Sequence, residues 1–269
     1  MSKKEPVKRL SVSISTWFRI PEQGMADHEI LCRASAFFIR SKDSKYPSKL
    51  HLLTASHVVA PWRFPKYYKD EWLSHVNQNH TKYSLEIRDE DGEITAETAL
   101  SPDSFHHSSR DLAVLHLDEE NLAMRMFEKS GVESQDLLQR QLIEGEVLQF
   151  HGHDVSMPSS LAAAGEINDK PVNTGEHDDR LPKPVLVYGH FAISTASQCF
   201  AKTKPVLTYG MCGGPVTAKS SSSIRGNGVS ETFVTSSVCG MLEGIVPLDS
   251  ANEQYRGLAA IVDSTVIAE

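Results

Sequence analysis

The strongest constraint on the fold is a repeated pattern of short apolar or alternating runs, separated by clusters of Gly, Pro, Asn and Asp. Such runs occupy 33–40, 50–55, 83–88, 93–99, 112–117, 146–150, 161–167, 185–191, 231–236, 239–246 and 258–262. Runs this short, bounded by turn residues, suit strands better than helices. In a chain of 269 residues they predict an all-β sandwich or barrel with a sizeable core. Two stretches depart from the pattern. The stretch 61–82 carries Trp62, Tyr67, Tyr68 and Trp72 among charges and reads as an inserted loop with some helix. Its aromatics make it a candidate surface for a protein partner. The stretch 119–143 places Leu122, Met126, Leu137, Leu138 and Leu142 at helical spacing, divided by Gly131, and suits a connection between two halves. The Ser/Gly-rich stretch 219–230 reads as a mobile hairpin tip or loop, and 168–184 as a polar loop.

Charge narrows the function classes. With 27 basic and 35 acidic residues the net charge is −8, which argues against broad binding to nucleic acid or anionic lipid. No apolar run approaches the ~18–20 residues of a membrane span. The start of the chain lacks the apolar segment of a secretory leader. The four cysteines, Cys32, Cys199, Cys212 and Cys239, are too few and too scattered for a disulfide framework. An intracellular setting is expected, cytoplasmic or mitochondrial. The pairs His106-His107 and His151-x-His153 have no third ligand at helical or zinc-ribbon spacing, so neither metal nor cofactor is expected.

Three segments carry the chemistry. His57 follows the strand-like Leu52-Leu53-Thr54-Ala55-Ser56. Asp111 precedes the apolar Leu112-Ala113-Val114-Leu115. Cys212 lies in the turn Gly210-Met211-Cys212-Gly213-Gly214-Pro215. Each alone is ordinary: a histidine at a strand end, an aspartate in a turn, a cysteine acting as a small hydrophobe. Together, in the order His, Asp, nucleophile, they match one of the chain orders of a catalytic triad. A thiol with a pKa near ~8.5 needs a base beside it at neutral pH, and an imidazole held by a carboxylate is that base.

These segments resemble the chymotrypsin-like, or trypsin-like, peptidase superfamily, in its intracellular branch. His57 stands in Thr-Ala-Ser-His, Asp111 in Asp-Leu-Ala-Val, and Cys212 where the family has Ser in Gly-x-Ser-Gly-Gly-Pro. Gly145–His153 and Leu242-Glu243-Gly244-Ile245-Val246 resemble the strand opening the second barrel and the wall of the specificity pocket. The resemblance implies two six-stranded antiparallel barrels with short helices and inserted loops. One would span 1–118 with His57 and Asp111, the other 144–269 with Cys212, joined by a partly helical 119–143. It implies a peptide-hydrolysing Cys-His-Asp triad, an oxyanion hole from the N–H groups of Gly210 and Cys212, and a peptide or protein substrate. Val206 would lie near the floor of an apolar pocket, and Pro247, Leu248 and Asp249 would supply the backbone edge that pairs with substrate. Met211 stands where zymogen-activated relatives have Asp, so activation by a new N-terminus is not expected. Val58 replaces the family's disulfide cysteine beside the histidine. The alternative is a weak or inactive relative serving as a scaffold or subunit, since a cysteine in a site shaped for serine is often poorly active.

Overall fold

In a strand successive side chains face opposite sides of the sheet, and the computed structural model is built largely of strands. The structure describes residues 9–40, 50–65, 67–68, 70–101, 103–116, 131–138, 140–155, 181–195, 198–226 and 229–268, with side chains at 219–236 excepted. The fold is mostly β. In chain order the strands are β1 (Val12–Phe18), β2 (Glu29–Arg40), β3 (Leu50–Thr54), β4 (Thr81–Arg88), β5 (Ile94–Leu100), β6 (Ser104–His106) and β7 (Ala113–His116). There follow β8 (Val147–Asp154), β9 (Lys183–Ser194), β10 (Cys199–Thr203), β11 (Pro215–Gly226), β12 (Val229–Ile245) and β13 (Ala259–Asp263). The later strands close into a six-stranded barrel ordered β10-β13-β12-β11-β8-β9. The earlier ones form a seven-stranded antiparallel sheet ordered β5-β4-β1-β2-β3-β7-β6 rather than the closed six-stranded barrel the resemblance implies. Of the strands of this sheet, β1 and β6 lie outside the apolar runs of the sequence.

β1 shows why. Val12 and Ile14 sit in the apolar core, while Ser13 and Ser15 on the other face are equally buried. Those serines belong to a polar layer. Ser15 Oγ donates to Glu86 Oε1 at 2.7 Å, and Arg88 binds the same carboxylate at 2.5 and 2.9 Å. Arg88 Nη1 also donates to the carbonyl of Gly92 at 2.6 Å. Strand β4 therefore alternates Tyr83, Leu85 and Ile87 toward the apolar core with Ser84, Glu86 and Arg88 toward this layer. The layer faces the barrel, since β1 and β2 both pack against β8.

The stretch expected to be a helical connection is extended over 131–138. Its bridges run Arg9↔Val132, Ile39↔Gln135 and Leu137↔Val238, so it laces the sheet to the barrel. The physical reason is that the two sides of an extended chain face different cores. Leu137 packs against the core of the sheet and Leu138, its neighbour, is buried in the core of the barrel. In a strand such neighbours stand about 180° apart, whereas a helix would set them only about 100° apart. Residues 117–130 lie outside the described residues, as does the run 161–167. The Ser/Gly-rich stretch forms the end of the β11–β12 hairpin, one of its two expected forms, and is strand over most of its length. β11 and β12 pair from Pro215↔Met241 to Gly226↔Val229, because a ladder of main-chain bonds needs no apolar side chains. The insertion 61–82 holds three short 3-10 turns, Pro61–Arg63, Glu71–His75 and Gln78–His80. No helix among the described residues is long and apolar enough to cross a membrane.

The polar layer yields a stability prediction. Removing one partner of a buried ion pair typically costs about 3–5 kcal/mol, because the remaining charge is stranded. Glu86→Ala is therefore expected to lower the urea-unfolding free energy by about that much, while Glu86→Met with Arg88→Leu recovers most of it. Equal destabilisation by the single and the double variant would refute the pairing.

Candidate active site

His57 sits in a single helical turn, Ser56–Val59, directly after β3. Such a turn leaves its carbonyls without internal partners. All four are satisfied here. Ser56 O accepts from the N–H of Ala60 at 2.8 Å, and His57 O from Tyr68 Oη at 3.3 Å. Val58 O accepts from Thr16 Oγ1 and Val59 O from Tyr83 Oη, each at 2.7 Å. Tyr68 comes from the insertion, so that segment helps to hold the histidine.

Asp111 reaches the same turn twice. Its Oδ1 accepts from the His57 main-chain N–H at 2.8 Å, and its Oδ2 lies 2.5 Å from His57 Nδ1. A brace runs beside this pair. Ser56 Oγ donates to the carbonyl of Leu112 at 2.8 Å, tying the residue before His57 to the residue after Asp111. His106 contacts that hydroxyl at 3.0 Å. Both His57 and Asp111 are buried.

Cys212 arrives from the other half, on the turn between β10 and β11. Burial disfavours the charged form of His57, but bonds to Asp111 and to the Cys212 thiol outweigh it and raise the pKa to about 10. The three expected triad residues are thus brought together from two sheets. Ser35 on β2 holds the nucleophile turn in place. Its Oγ donates to Gly210 O at 2.7 Å and accepts from the His153 N–H at 2.9 Å, while its N–H donates to Cys212 O at 3.0 Å. Its own carbonyl accepts from Thr54 Oγ1 at 2.8 Å. The contact is tight enough to require glycine. A Cβ on Gly213, whose φ is +81°, would stand 2.3 Å from Ser35 O and 2.4 Å from Thr54 Oγ1.

The peptide orientations in this turn are pinned. Tyr209 O accepts from Val155 N at 3.0 Å and Met211 O from Gly214 N at 3.0 Å. Because N–H and C=O point oppositely across a trans peptide, the N–H groups of Gly210 and Cys212 face away from those partners. Among the described residues neither has a backbone acceptor. The Gly210–Met211 peptide is held too, by Ser35 on its carbonyl and Thr208 O on its N–H at 3.4 Å.

The expected substrate-binding residues are placed differently. Val206 is 68 % exposed and forms no pocket floor, because its loop carries the side chain outward. Pro247, Leu248 and Asp249 form an exposed turn closed by the Ser250 N–H on Pro247 O at 3.1 Å, so they offer no extended edge. Sequence reasoning missed the aromatic cover. Tyr67 stacks on the His57 ring at 5.0 Å and 20°, and Phe64 meets it edge-on at 6.1 Å. Their clustering in the insertion was visible, but not which surface they reach. Ser35 was hidden for a different reason: nothing distinguishes a bridging serine from an ordinary strand serine until its partners are known. The paired histidines have hydrogen-bonding roles, and burial lowers the pKa of His151 to about 4 and that of His153 to about 3. Among the described residues no group of three His, Cys, Asp or Glu could hold a metal ion. Cys32, Cys199 and Cys239 lie in strands β2, β10 and β12, and all four cysteines are free.

Comparison of the chain with protein-family models and with curated proteins finds no match.

Two outcomes test this geometry. Ser35→Ala strands Gly210 O and the His153 N–H, and is expected to cost about 1–3 kcal/mol in urea unfolding. A loss near zero would show that the bridge is not formed. A raised histidine pKa contributes stability that is complete below its unfolded value of 6.5 and is lost as pH rises through about 10. By NMR, His57 should titrate near the top of that window, and Asp111→Asn should bring it down. An unchanged midpoint in Asp111→Asn would contradict the pairing.

Proposed function

We propose that the chain is a peptide-bond hydrolase of chymotrypsin-like architecture in which Cys212 is the nucleophile, His57 the proton carrier and Asp111 its orienting carboxylate. The observation that carries this reading is the position of His57 between Asp111 and Cys212, beside two main-chain N–H groups that lack backbone acceptors. The raised pKa of the ring makes it a strong acceptor for the Cys212 thiol proton. The thiolate attacks the scissile carbonyl carbon and a C–S bond forms. The N–H groups of Gly210 and Cys212 are the donors available to the developing oxyanion, and losing one such donor typically costs about 3–4 kcal/mol. The C–N bond then breaks as His57 gives its proton to the leaving amine, and a thioester remains. Water attacks the thioester while His57 takes a proton from it. The carboxylic acid leaves and the thiol returns.

A second reading is a binding scaffold that keeps the architecture without turnover. One observation favours it: Tyr67, 56 % exposed, lies flat on the ring that must exchange protons.

Cleavage of a peptide library separates the two. Cys212→Ala is expected to reduce turnover by about a millionfold, as loss of a triad nucleophile does. His57→Ala should also slow modification of Cys212 by a peptidyl thiol probe at neutral pH. Wild type that matches Cys212→Ala on the whole library, with a thiol inert to the probe, would sink the hydrolase reading and leave the scaffold.

A further inference from the structure

Glu243 is placed by a break in pairing. The β12–β13 register passes from Leu242↔Ile261 to Gly244↔Ala260, leaving Glu243 as the extra residue of a bulge. Bulges re-aim side chains, and this one lies next to the candidate nucleophile. Leu242, its neighbour, is bonded through both main-chain groups to the Cys212 turn, at 2.8 Å from Gly213 N and 2.9 Å to Gly214 O. The Glu243 carboxylate accepts from the neutral amide of Gln198. Among the described residues no Lys or Arg stands within ion-pair distance of it. The charges facing it are those of Asp111, His57 and Arg110. His57 is already engaged by Asp111 at 2.5 Å. Burial, and then the negative charge of Asp111, raise the Glu243 pKa, so the carboxylate is under-compensated where it stands.

Two neighbours give this carboxylate a shape. Tyr67 presents an exposed ring over His57, and its hydroxyl feels the charge of Glu243 first, then those of Asp111 and Cys212, after burial. On the other side Gly244 is open, since a Cβ built there would meet nothing within 4 Å. An electron-rich ring over His57, a carboxylate without an ion-pair partner beside the Cys212 turn, and open space at Gly244 together suit a long cationic side chain. The overall charge of −8 adds to the attraction.

We infer that Glu243 and Tyr67 form a subsite selecting a lysine or arginine side chain on the acyl side of the scissile bond. This rests on the hydrolase reading of the same site and adds the substrate class to it. A lysine ammonium reaching the slot gains a charge-assisted hydrogen bond to Glu243 and the face of the Tyr67 ring. A glutamate in the same place meets Glu243 and is repelled.

The test uses matched peptidyl electrophiles that alkylate thiols and carry Lys, norleucine or Glu at the second, third or fourth residue on the acyl side. The rate of Cys212 modification is followed by mass spectrometry in the full chain. At one of these positions Lys is expected to react about tenfold faster than norleucine, and Glu slower than both. Glu243→Gln should collapse the Lys-to-Glu rate ratio, and Glu243→Lys should invert it. The order Lys, norleucine, Glu with that collapse and inversion supports the subsite. Equal rates for all three in wild type, or a ratio that survives in Glu243→Gln, overturn the subsite while leaving the hydrolase reading intact. If no peptidyl probe modifies Cys212 although iodoacetamide does, the hydrolase reading falls and the subsite falls with it.

Discussion

Ser35 is the point on which the geometry of the site depends. One small residue on β2 engages Gly210 O, the His153 N–H and Cys212 O, and accepts from Thr54 at the end of the strand that leads to His57. It therefore sets the distance between the segment bearing the imidazole and the turn bearing the thiol. No apolar side chain could do this. Hydrophobic contact is non-directional, whereas buried donors and acceptors must be matched in both position and angle. Gly213 follows from the same constraint, because a side chain there would collide with Ser35 O.

Around that bridge the molecule has a polar layer where a two-sheet protein would ordinarily be dry. Glu86, Arg88, Ser13, Ser15 and Ser84 satisfy one another inside it. The candidate site lies at its edge, and the same economy of partners recurs there. The helical turn of His57 has every carbonyl accepted, one of them by a tyrosine of the insertion. An imidazole held this rigidly can keep one nitrogen on Asp111 while the other serves the thiol. Pre-organisation of this kind is what general acid–base chemistry needs, since little reorientation is left to occur during reaction. The insertion thus contributes support through the partly buried Tyr68 and cover through the exposed Tyr67.

How much of this was legible beforehand differed by element. Most of the strands were, because their apolar residues recur with period two or run unbroken between turn residues; β3 and β7, which flank the His57 turn and Asp111, are examples. β1 was not, since its serines look solvent-facing until Glu86 and Arg88 are placed opposite them. The segment at 131–138 was misread as helical because Leu137, Leu138 and Leu142 fit a helical face. The two leucines serve different cores, a fact with no trace in spacing. The pocket residues fared worst. Val206 and the turn at 247–249 lie in connecting segments, which vary most in path, so a neighbouring motif does not fix where they go.

By itself the order of residues determined that this is a β protein, and that an imidazole, a carboxylate and a thiol each stand at a strand end or in a glycine turn. Those properties are local: they follow from periodicity, turn chemistry and residue type. Only the tertiary structure decided that the three groups meet, that the earlier strands make a seven-stranded sheet beside a closed barrel, and that Glu243 falls on a bulge beside the Cys212 turn. These depend on partners far apart along the chain. A donor's partner is chosen by where the backbone arrives in space, and that is a property of the whole packed molecule.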